Sequence, residues 1–429
     1  MNSSSPKILG DDAAYGVMYS VGREAGAAVQ SVFAEIAADL GVSIHRASYM
    51  LSQQIAVLGR APLFWRPLSQ RFGRRPVFLL SLACSLVGNV GCAASPSYAT
   101  MGLCRAITAF FVSPALAVGS AVVAETFFKK ERARYMGVWT VMVTLGTNAV
   151  QLVLYFFLGH ETLYLRGSAP SSSLSSSSSG PKRSWLGGLL SFSRIDRTPL
   201  RPWDFVQPLT LATRRCIVIP AAAYAMVFLW GNVTMSVETG ALFPEQFGFD
   251  PQQVGLQNIS LIVGSLVGEQ IGGSLSDWWM WRRRGKASSS SSSSSAEEAG
   301  DIAAAAAAAA ASQPEFRLWF SYPGYLLTIC GVRAGRAWNV TPLLGAGIAA
   351  AGNQVATTVA TTYAVDCYRA VGVFVNLVRQ TWGFVGPFWV PPLIGRLGLR
   401  AAAAVASAML VAVSVVPTAL VQWKGSTWR

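Results

Sequence analysis

Two ionisable residues lie inside long apolar segments of this chain. Arg105 is within the apolar run 98–126, and Glu269 is within the run 254–275. An ionisable side chain in an apolar environment is costly, and it usually serves proton, ion or substrate chemistry. We therefore predict that Arg105 and Glu269 are functional residues that handle protons, ions or substrate. The alternative for each is a side chain close enough to the end of its segment to reach water.

Polar side chains also interrupt the apolar segments of the second half of the chain. In the run 375–384, Asn376, Arg379 and Trp382 are spaced three apart, so they share one helix face. A polar, cationic and aromatic stripe of this kind is suited to the wall of a substrate cavity. Buried amides need hydrogen-bond partners, so the alternative is that they hold neighbouring helices together. The predicted cavity residues are Asn258, Asn353, Gln354, Asn376, Arg379 and Trp382.

A short basic turn occurs once in each half, between two apolar segments. Residues 67–76 read PLSQRFGRRP, and a degenerate copy, GSLSDWWMWRRR, occupies 273–284. The turn needs a flexible residue such as Gly73, and we expect its arginines to stay at the cytoplasmic headgroups. Such a repeat is typical of a duplicated transporter, although a basic loop can also only set orientation. The predicted cytoplasmic gate residues are Arg71, Gly73, Arg74, Arg75, Gly273 and Asp277.

The composition predicts an all-α polytopic membrane protein. Hydrophobic residues make up 52% of the 429 residues and charged residues only 13%, against about 25% charged in soluble domains. Apolar runs of about 20 residues, each able to cross the bilayer, recur along the chain. Glycines such as Gly264, Gly268 and Gly347 would let helices approach closely.

The net charge of +14 does not indicate nucleic-acid binding. The basic residues lie in short loops between apolar runs, which is typical of cytoplasmic loops, and their expected partners are anionic lipid headgroups. The six cysteines lie in or beside apolar segments without metal-ligand spacing, and there are only two histidines. With no convincing nucleophile, acid–base pair or ATP-binding motif, we predict no enzyme activity, no metal and no cofactor.

Two membrane halves are predicted, with ten or eleven spans between them. The first half is 1–158, a disordered cytoplasmic linker rich in serine and proline is 159–215, and the second half is 216–429 with a low-complexity insert at 287–313. The first apolar run, 14–37, carries three charged residues and is a poor span.

These motifs resemble the major facilitator superfamily, and within it the fungal multidrug and polyamine type of proton-coupled transporter. The strings that carry the resemblance are 67–76, 104–109, 124–139, 158–166, 268–277 and 375–387. The resemblance implies a two-repeat helical bundle around a central cavity, with Arg105 at a position associated with proton coupling. The first basic turn differs from the family pattern, because Gln70 occupies the position where the family has an aspartate. In the second turn, Gly273 and Asp277 match the family residues. A neutral Gln70 cannot form the charge pair of the family's cytoplasmic latch.

The resemblance further implies that the first half lacks about one span. Residues 135–158 provide about 24 residues, enough for a single crossing. One crossing would place the basic loop 129–134 and the linker on opposite sides of the membrane. The explanations are a re-entrant or distorted element, an inverted second half, and an imperfect gene model or decayed copy. The last also accounts for the truncated runs at 14–37 and 316–332.

The predicted function is secondary transport of a small organic solute, drug-like or polyamine-like, by alternating access. We expect proton coupling, a multi-pass monomer, and a plasma-membrane location. The alternative is a bundle that does not transport, acting as a sensor or assembly partner, or an incomplete and inactive transporter copy.

Overall fold

The computed structural model describes residues 37, 40–126, 199–235, 237, 251–279, 282, 314–333, 341–368 and 371–428. Every regular element in these ranges is a helix. In the first half these are α1 (Ile44–Phe72), α2 (Arg74–Ala93) and α3 (Tyr98–Thr126). A short helix α4 (Pro202–Val206) and a 3-10 turn (Gln207–Thr213) precede the second half.

Six helices, with local π and 3-10 turns, are described in the second half. They are α5 (Arg215–Phe228) with a π turn at Leu229–Thr234, α6 (Pro251–Gln270) with a π turn at Ile271–Leu275, a 3-10 turn (Pro314–Phe320) leading into α7 (Ser321–Arg333), α8 (Thr341–Cys367), α9 (Gly372–Leu410), and a π turn (Val411–Val415) leading into α10 (Val416–Trp428). Gly398, with φ of 77° and ψ of 162°, breaks α9 into two arms. This positive φ favours glycine, because a side chain would be strained there.

The helices agree with the predicted apolar runs, and the all-α fold class is confirmed. Three stretches among the described residues are long and apolar enough to cross a membrane: Arg74–Cys92, Arg215–Thr234 and Gly372–Gly425. The third is long enough for two spans separated at Gly398, as the runs 371–394 and 401–421 predict. The runs 14–37 and 135–158, and the insert 287–313, lie outside the described residues.

Local signals place the ends of the first helices. The Ser43 side chain accepts a hydrogen bond from the Arg46 N–H at 3.3 Å and so caps the start of α1. Gly73, with φ of 91°, ends α1 and begins the turn into α2. Ser97 and Thr100 exchange hydrogen bonds at the start of α3, which satisfies amide groups that have no partner within the helix.

Antiparallel packing of α1 against α9 joins the two halves. The Tyr49 and Phe388 rings stack with centroids 4.7 Å apart near the start of α1. Further along, Asn376 Nδ2 donates to the Leu58 carbonyl at 3.2 Å. The end of α1 therefore lies beside the start of α9.

Glycines bring α6 and α8 together in parallel. A Cβ at Gly264 would strike the backbone of Gly347, and a Cβ at Gly268 would lie 2.7 Å from the Ala351 Cα. Gly272 continues the series against Val355. Because α8 leads directly into α9, the end of α6 is on the same side as the end of α1.

Both basic turns therefore lie at one end of the bundle. The start of α5 is also there, because the preceding segment contacts the end of α1 through Asp204 and Arg71. Because both basic turns lie at the same end, the second half is not inverted relative to the first. This excludes one of the three explanations for the short first half.

Candidate functional site

Glu269 is a buried carboxyl held by neutral groups. Its side chain is only 2% exposed. Gln354 Nε2 donates to Oε2 at 2.6 Å, and Thr358 Oγ1 donates to the same oxygen at 2.9 Å. No basic side chain contacts it within the part of the chain that the structure describes. Such a group can take up and release a proton without breaking an ion pair.

The geometry of this carboxyl follows from the glycine contacts. Gly268 and Gly272 flank Glu269 and press this part of α6 against α8. Gln354 and Thr358 are four residues apart, so they present one face of α8 to the carboxyl. The residues Glu269 and Gln354 were predicted as functional from the sequence, but their contact and the role of Thr358 were not. Four threonines in 357–362 were the available signal.

Arg105 is buried between α1, α2 and α3. Its side chain is 8% exposed, and Nη1 donates to Gln54 Oε1 at 3.3 Å. Its Nε has no hydrogen-bond partner in the described structure. Thr108, one turn further on, instead donates to the Cys104 carbonyl at 2.9 Å. Arg105 and Glu269 therefore lie in different halves, and each contacts an amide.

Of the predicted stripe on α9 (Asn376, Arg379 and Trp382), only Asn376 and Arg379 lie in one cluster. Arg379 Nη1 donates to the Tyr224 hydroxyl at 2.8 Å, and Nη2 donates to Asn376 Oδ1 at 2.7 Å. The guanidinium carbon also lies 4.7 Å from the Phe228 ring centroid, a cation–π geometry. Trp382 lies outside this cluster, with 37% of its surface exposed.

The predicted asparagine side chains make different contacts. Asn376 joins α9 to the Leu58 carbonyl of α1, so it links the halves. Asn353 is buried in α8, and its Oδ1 has no hydrogen-bond partner among the described residues. Asn258 lies in α6, but its side chain is outside the described part of the chain.

The second basic turn is held by a buried ion-pair cluster. Arg317, 3% exposed, has Nη1 at 2.8 Å from Asp277 Oδ1 and Nε at 3.5 Å from Asp366 Oδ2. Arg317 Nη1 also donates to Ser276 Oγ at 3.1 Å. The cluster connects the ends of α6 and α8 to the 3-10 turn before α7. Asp277 was a predicted gate residue, whereas Arg317 and Asp366 were missed because their partners are distant in sequence. Gly273 is buried in the π turn that precedes this cluster.

The first basic turn has a partner from the segment between the halves. Arg71 Nη2 lies 3.0 Å from Asp204 Oδ2, and Asp204 belongs to α4. The expectation that all three arginines stay at the headgroups is wrong for Arg74, which is only 4% exposed. The turn at Gly73 places Arg74 at the start of α2, where this helix packs against the end of α1. Arg75 is half-buried.

Part of the segment predicted as a disordered linker is helical. Pro202 starts α4 at a position where its missing N–H is not needed. The Asp204 carboxylate accepts from the Arg201 N–H at 3.1 Å and caps the helix. The rest of the predicted linker, 159–198, lies outside the described residues.

Comparison with known proteins identifies the family. The family model of the Major Facilitator Superfamily matches residues 25–391. This chain therefore belongs to the major facilitator superfamily, whose members are multi-pass membrane transporters of small molecules and not enzymes.

The chain is similar to fungal transporters. It is 26% identical to the MFS-type transporter clz19 of Cochliobolus lunatus over a 440-residue alignment, which covers 92% of this chain and 80% of the relative. It is 34% identical over 105 residues to the multidrug transporter AQR1 of Candida glabrata, covering 24% of this chain and 17% of that protein. It is 26% identical over 133 residues to citrate exporter 1 of Aspergillus niger, covering 30% and 25%.

A solved structure supports the fold. The human organic anion transporter MFSD10 (TETRAN) matches with a TM-score of 0.54 and 18% identity, over 96% of each chain. At this identity the likeness concerns the fold alone. The predicted two-repeat facilitator fold is confirmed.

Proposed function

We propose that this protein is a proton-coupled secondary transporter of a small organic solute, working by alternating access. The buried Glu269 carboxyl carries this proposal. A charged carboxylate in an apolar interior is expensive, and no basic side chain among the described residues offsets it. Proton binding removes that cost, so the occupancy of Glu269 by a proton can be linked to the conformation of the bundle.

The position of Glu269 also supports the proposal. It lies eight residues before Asp277 on the same helical segment, or about 12 Å at the rise of an α-helix. The Asp277–Arg317–Asp366 cluster closes the same end of the second half. Breaking this cluster would bring water closer to Glu269. Arg105 would act in the first half by binding a negative charge of the substrate or by adjusting the proton affinity of the pathway.

The substrate site would lie between the halves. Arg379 and Asn376 are placed at the contact between α9, α5 and α1, and we assign Asn353, Gln354 and Trp382 to the same pathway. The protein would act as a monomer in the plasma membrane. Two of its relatives, a multidrug transporter and a citrate exporter, suggest two chemically different kinds of probe.

Transport into proteoliposomes tests the proposal. Full-length protein is reconstituted, a pH gradient is imposed, and accumulation of labelled citrate, labelled spermidine and a cationic dye is followed. At least one probe should accumulate, and the accumulation should collapse when a protonophore removes the gradient. Correctly folded protein that moves none of these probes, with or without a gradient, would contradict the proposal.

Glu269→Gln separates coupling from binding. The amide has the size of the protonated carboxyl and keeps one acceptor oxygen and a donor, but it cannot ionise. Gradient-driven accumulation should fall at least about tenfold, the scale of one 1.4 kcal/mol interaction, while exchange of internal for external probe persists. Gln270→Ala, at the exposed neighbouring position of α6, is the matched control and should keep both activities. Full gradient-driven accumulation by Glu269→Gln would exclude this carboxyl as the coupling group.

A further inference from the structure

The segment between the halves is fastened to the first basic turn. Asp204 and Arg71 form an ion pair of 3.0 Å, with side chains 28% and 13% exposed. Arg66 Nη1 donates to Gln207 Oε1 at 3.4 Å, three residues further along the segment. Two polar contacts therefore hold this segment, α4 and its 3-10 turn (202–213), against the end of α1.

Apolar contacts extend the segment to the second half. The Phe205 and Phe64 ring centroids are 6.1 Å apart, on the side of α1. Leu211 packs against a core cluster that includes Ile55 of α1 and Phe374 of α9. The 3-10 turn also contacts α5, into which it leads. The segment 202–213 thus bridges both halves at the end of the bundle that carries the basic turns.

The exposure pattern shows a helical segment with two faces. Asp204, Phe205, Pro208 and Leu211 are half-buried or buried against the bundle. The opposite side exposes Trp203, Val206 and Leu209, spaced three apart. Arg201, Arg214 and Arg215 flank this exposed apolar side. An apolar face with basic ends is typical of a helix lying at the headgroup level of a membrane.

The two basic turns differ in the source of their acid. In the second turn Asp277 pairs with Arg317 inside its own half. In the first turn the corresponding position is the neutral Gln70, whose side chain is exposed. We propose that Asp204 is the acid of the first cytoplasmic latch, supplied by the segment 202–213 instead of by the turn itself. The inference rests on the proposed alternating access.

This source of the acid has a mechanical consequence. Arg71 belongs to the first half, whereas Asp204 is nine residues before Thr213, where the segment runs into α5. The Asp204–Arg71 pair consequently ties one half to the other. It must release when the halves separate at this end, so Asp204 is a gating residue.

Arg71→Gln is the cleanest probe, because Asp204 has a second role. The Asp204 carboxylate also accepts from the Arg201 N–H, so changing it would alter the helix cap as well as the tie. Replacing Arg71 removes the tie and leaves the cap. Arg400→Gln is the matched control, since Arg400 is an exposed arginine in the second arm of α9, at the opposite end of the bundle.

Hydrogen–deuterium exchange of the full-length protein in nanodiscs measures the tie. Arg71→Gln should speed amide exchange in 202–213 about two- to fivefold, the range expected for a partly exposed ion pair. Arg400→Gln should leave these amides unchanged. Equal exchange in both variants would overturn the proposal.

Distance measurements test the gate without any transported substrate. In a variant with the six cysteines replaced, spin labels at the exposed positions Leu80 and Trp423 report the separation of the two halves. Arg71→Gln should raise the population with the longer separation about two- to fivefold. Asp204→Asn should do the same. An unchanged distance distribution in both single variants would overturn the gating role. Neither measurement needs transport, so failure here is distinguishable from failure of the proposed function.

Discussion

The contact between Gly268 and α8 provides a direct test of how the bundle positions Glu269. An alanine Cβ at this position would lie 2.7 Å from the Ala351 Cα, whereas carbon atoms in normal contact are about 3.5–4.0 Å apart. Because the obstacle is backbone, a rotamer change cannot relieve it. The two helices must separate locally by about 1 Å.

A displacement of this size would break the site. The Gln354–Glu269 hydrogen bond of 2.6 Å would stretch beyond hydrogen-bonding range, and the Thr358 contact of 2.9 Å would follow. Overpacking costs about 1–3 kcal/mol, and two lost hydrogen bonds add about 1 kcal/mol each. Gly268→Ala should therefore lower the free energy of unfolding by about 3–5 kcal/mol.

Denaturation in mixed micelles, followed by circular dichroism, measures this loss. Gly395→Ala is the matched control, because a Cβ at Gly395 meets nothing within 4 Å and alanine is the better helix former. Gradient-driven transport should fall with Gly268→Ala and persist with Gly395→Ala. If the two variants unfold at the same denaturant concentration, the close approach of α6 and α8 does not support the site as described.

Two further outcomes follow from the other clusters. Arg317→Ala removes the guanidinium between Asp277 and Asp366, so the free energy of unfolding should fall by about 3–5 kcal/mol. The same denaturation measurement checks this value. A loss below about 1 kcal/mol would contradict the proposal that this cluster stabilises the fold. Tyr224→Phe removes the hydroxyl that accepts from Arg379 and should cost about 0.5–1.5 kcal/mol in the same denaturation measurement. Arg379→Ala removes both hydrogen bonds and the cation–π contact, so a loss no larger than that of Tyr224→Phe would contradict the described cluster.

The helices were largely predictable because their signal is local. Apolar runs bounded by charged or turn residues coincide with α2, α3 and α8, since membrane spans must satisfy every backbone hydrogen bond within the segment. Arg105 and Glu269 could be found for the same reason: an ionisable residue in an apolar run is unusual wherever its partners lie. The helical nature of 202–213 was missed, because its short amphipathic pattern follows a serine- and proline-rich stretch and is stabilised by α1.

The partners of the predicted residues could not be read from their own surroundings. Thr358 reaches Glu269 only because the glycines of α6 lie against α8, and Arg317 joins Asp277 and Asp366 across gaps of 40 and 49 residues. Asn376 was consistent with either a cavity wall or an interhelical contact, and its bond to Leu58 shows that it joins the halves.

By itself, the sequence determined the membrane class, the family, the two basic turns and the loss of the acid at Gln70. These depend on residue type and spacing along one chain. The tertiary structure decided that both turns lie at the same end, that Glu269 contacts neutral donors, and that Asp204 meets Arg71. Such contacts arise when distant helices are brought together, because hydrogen bonds and ion pairs act over a few ångströms whatever the separation in sequence.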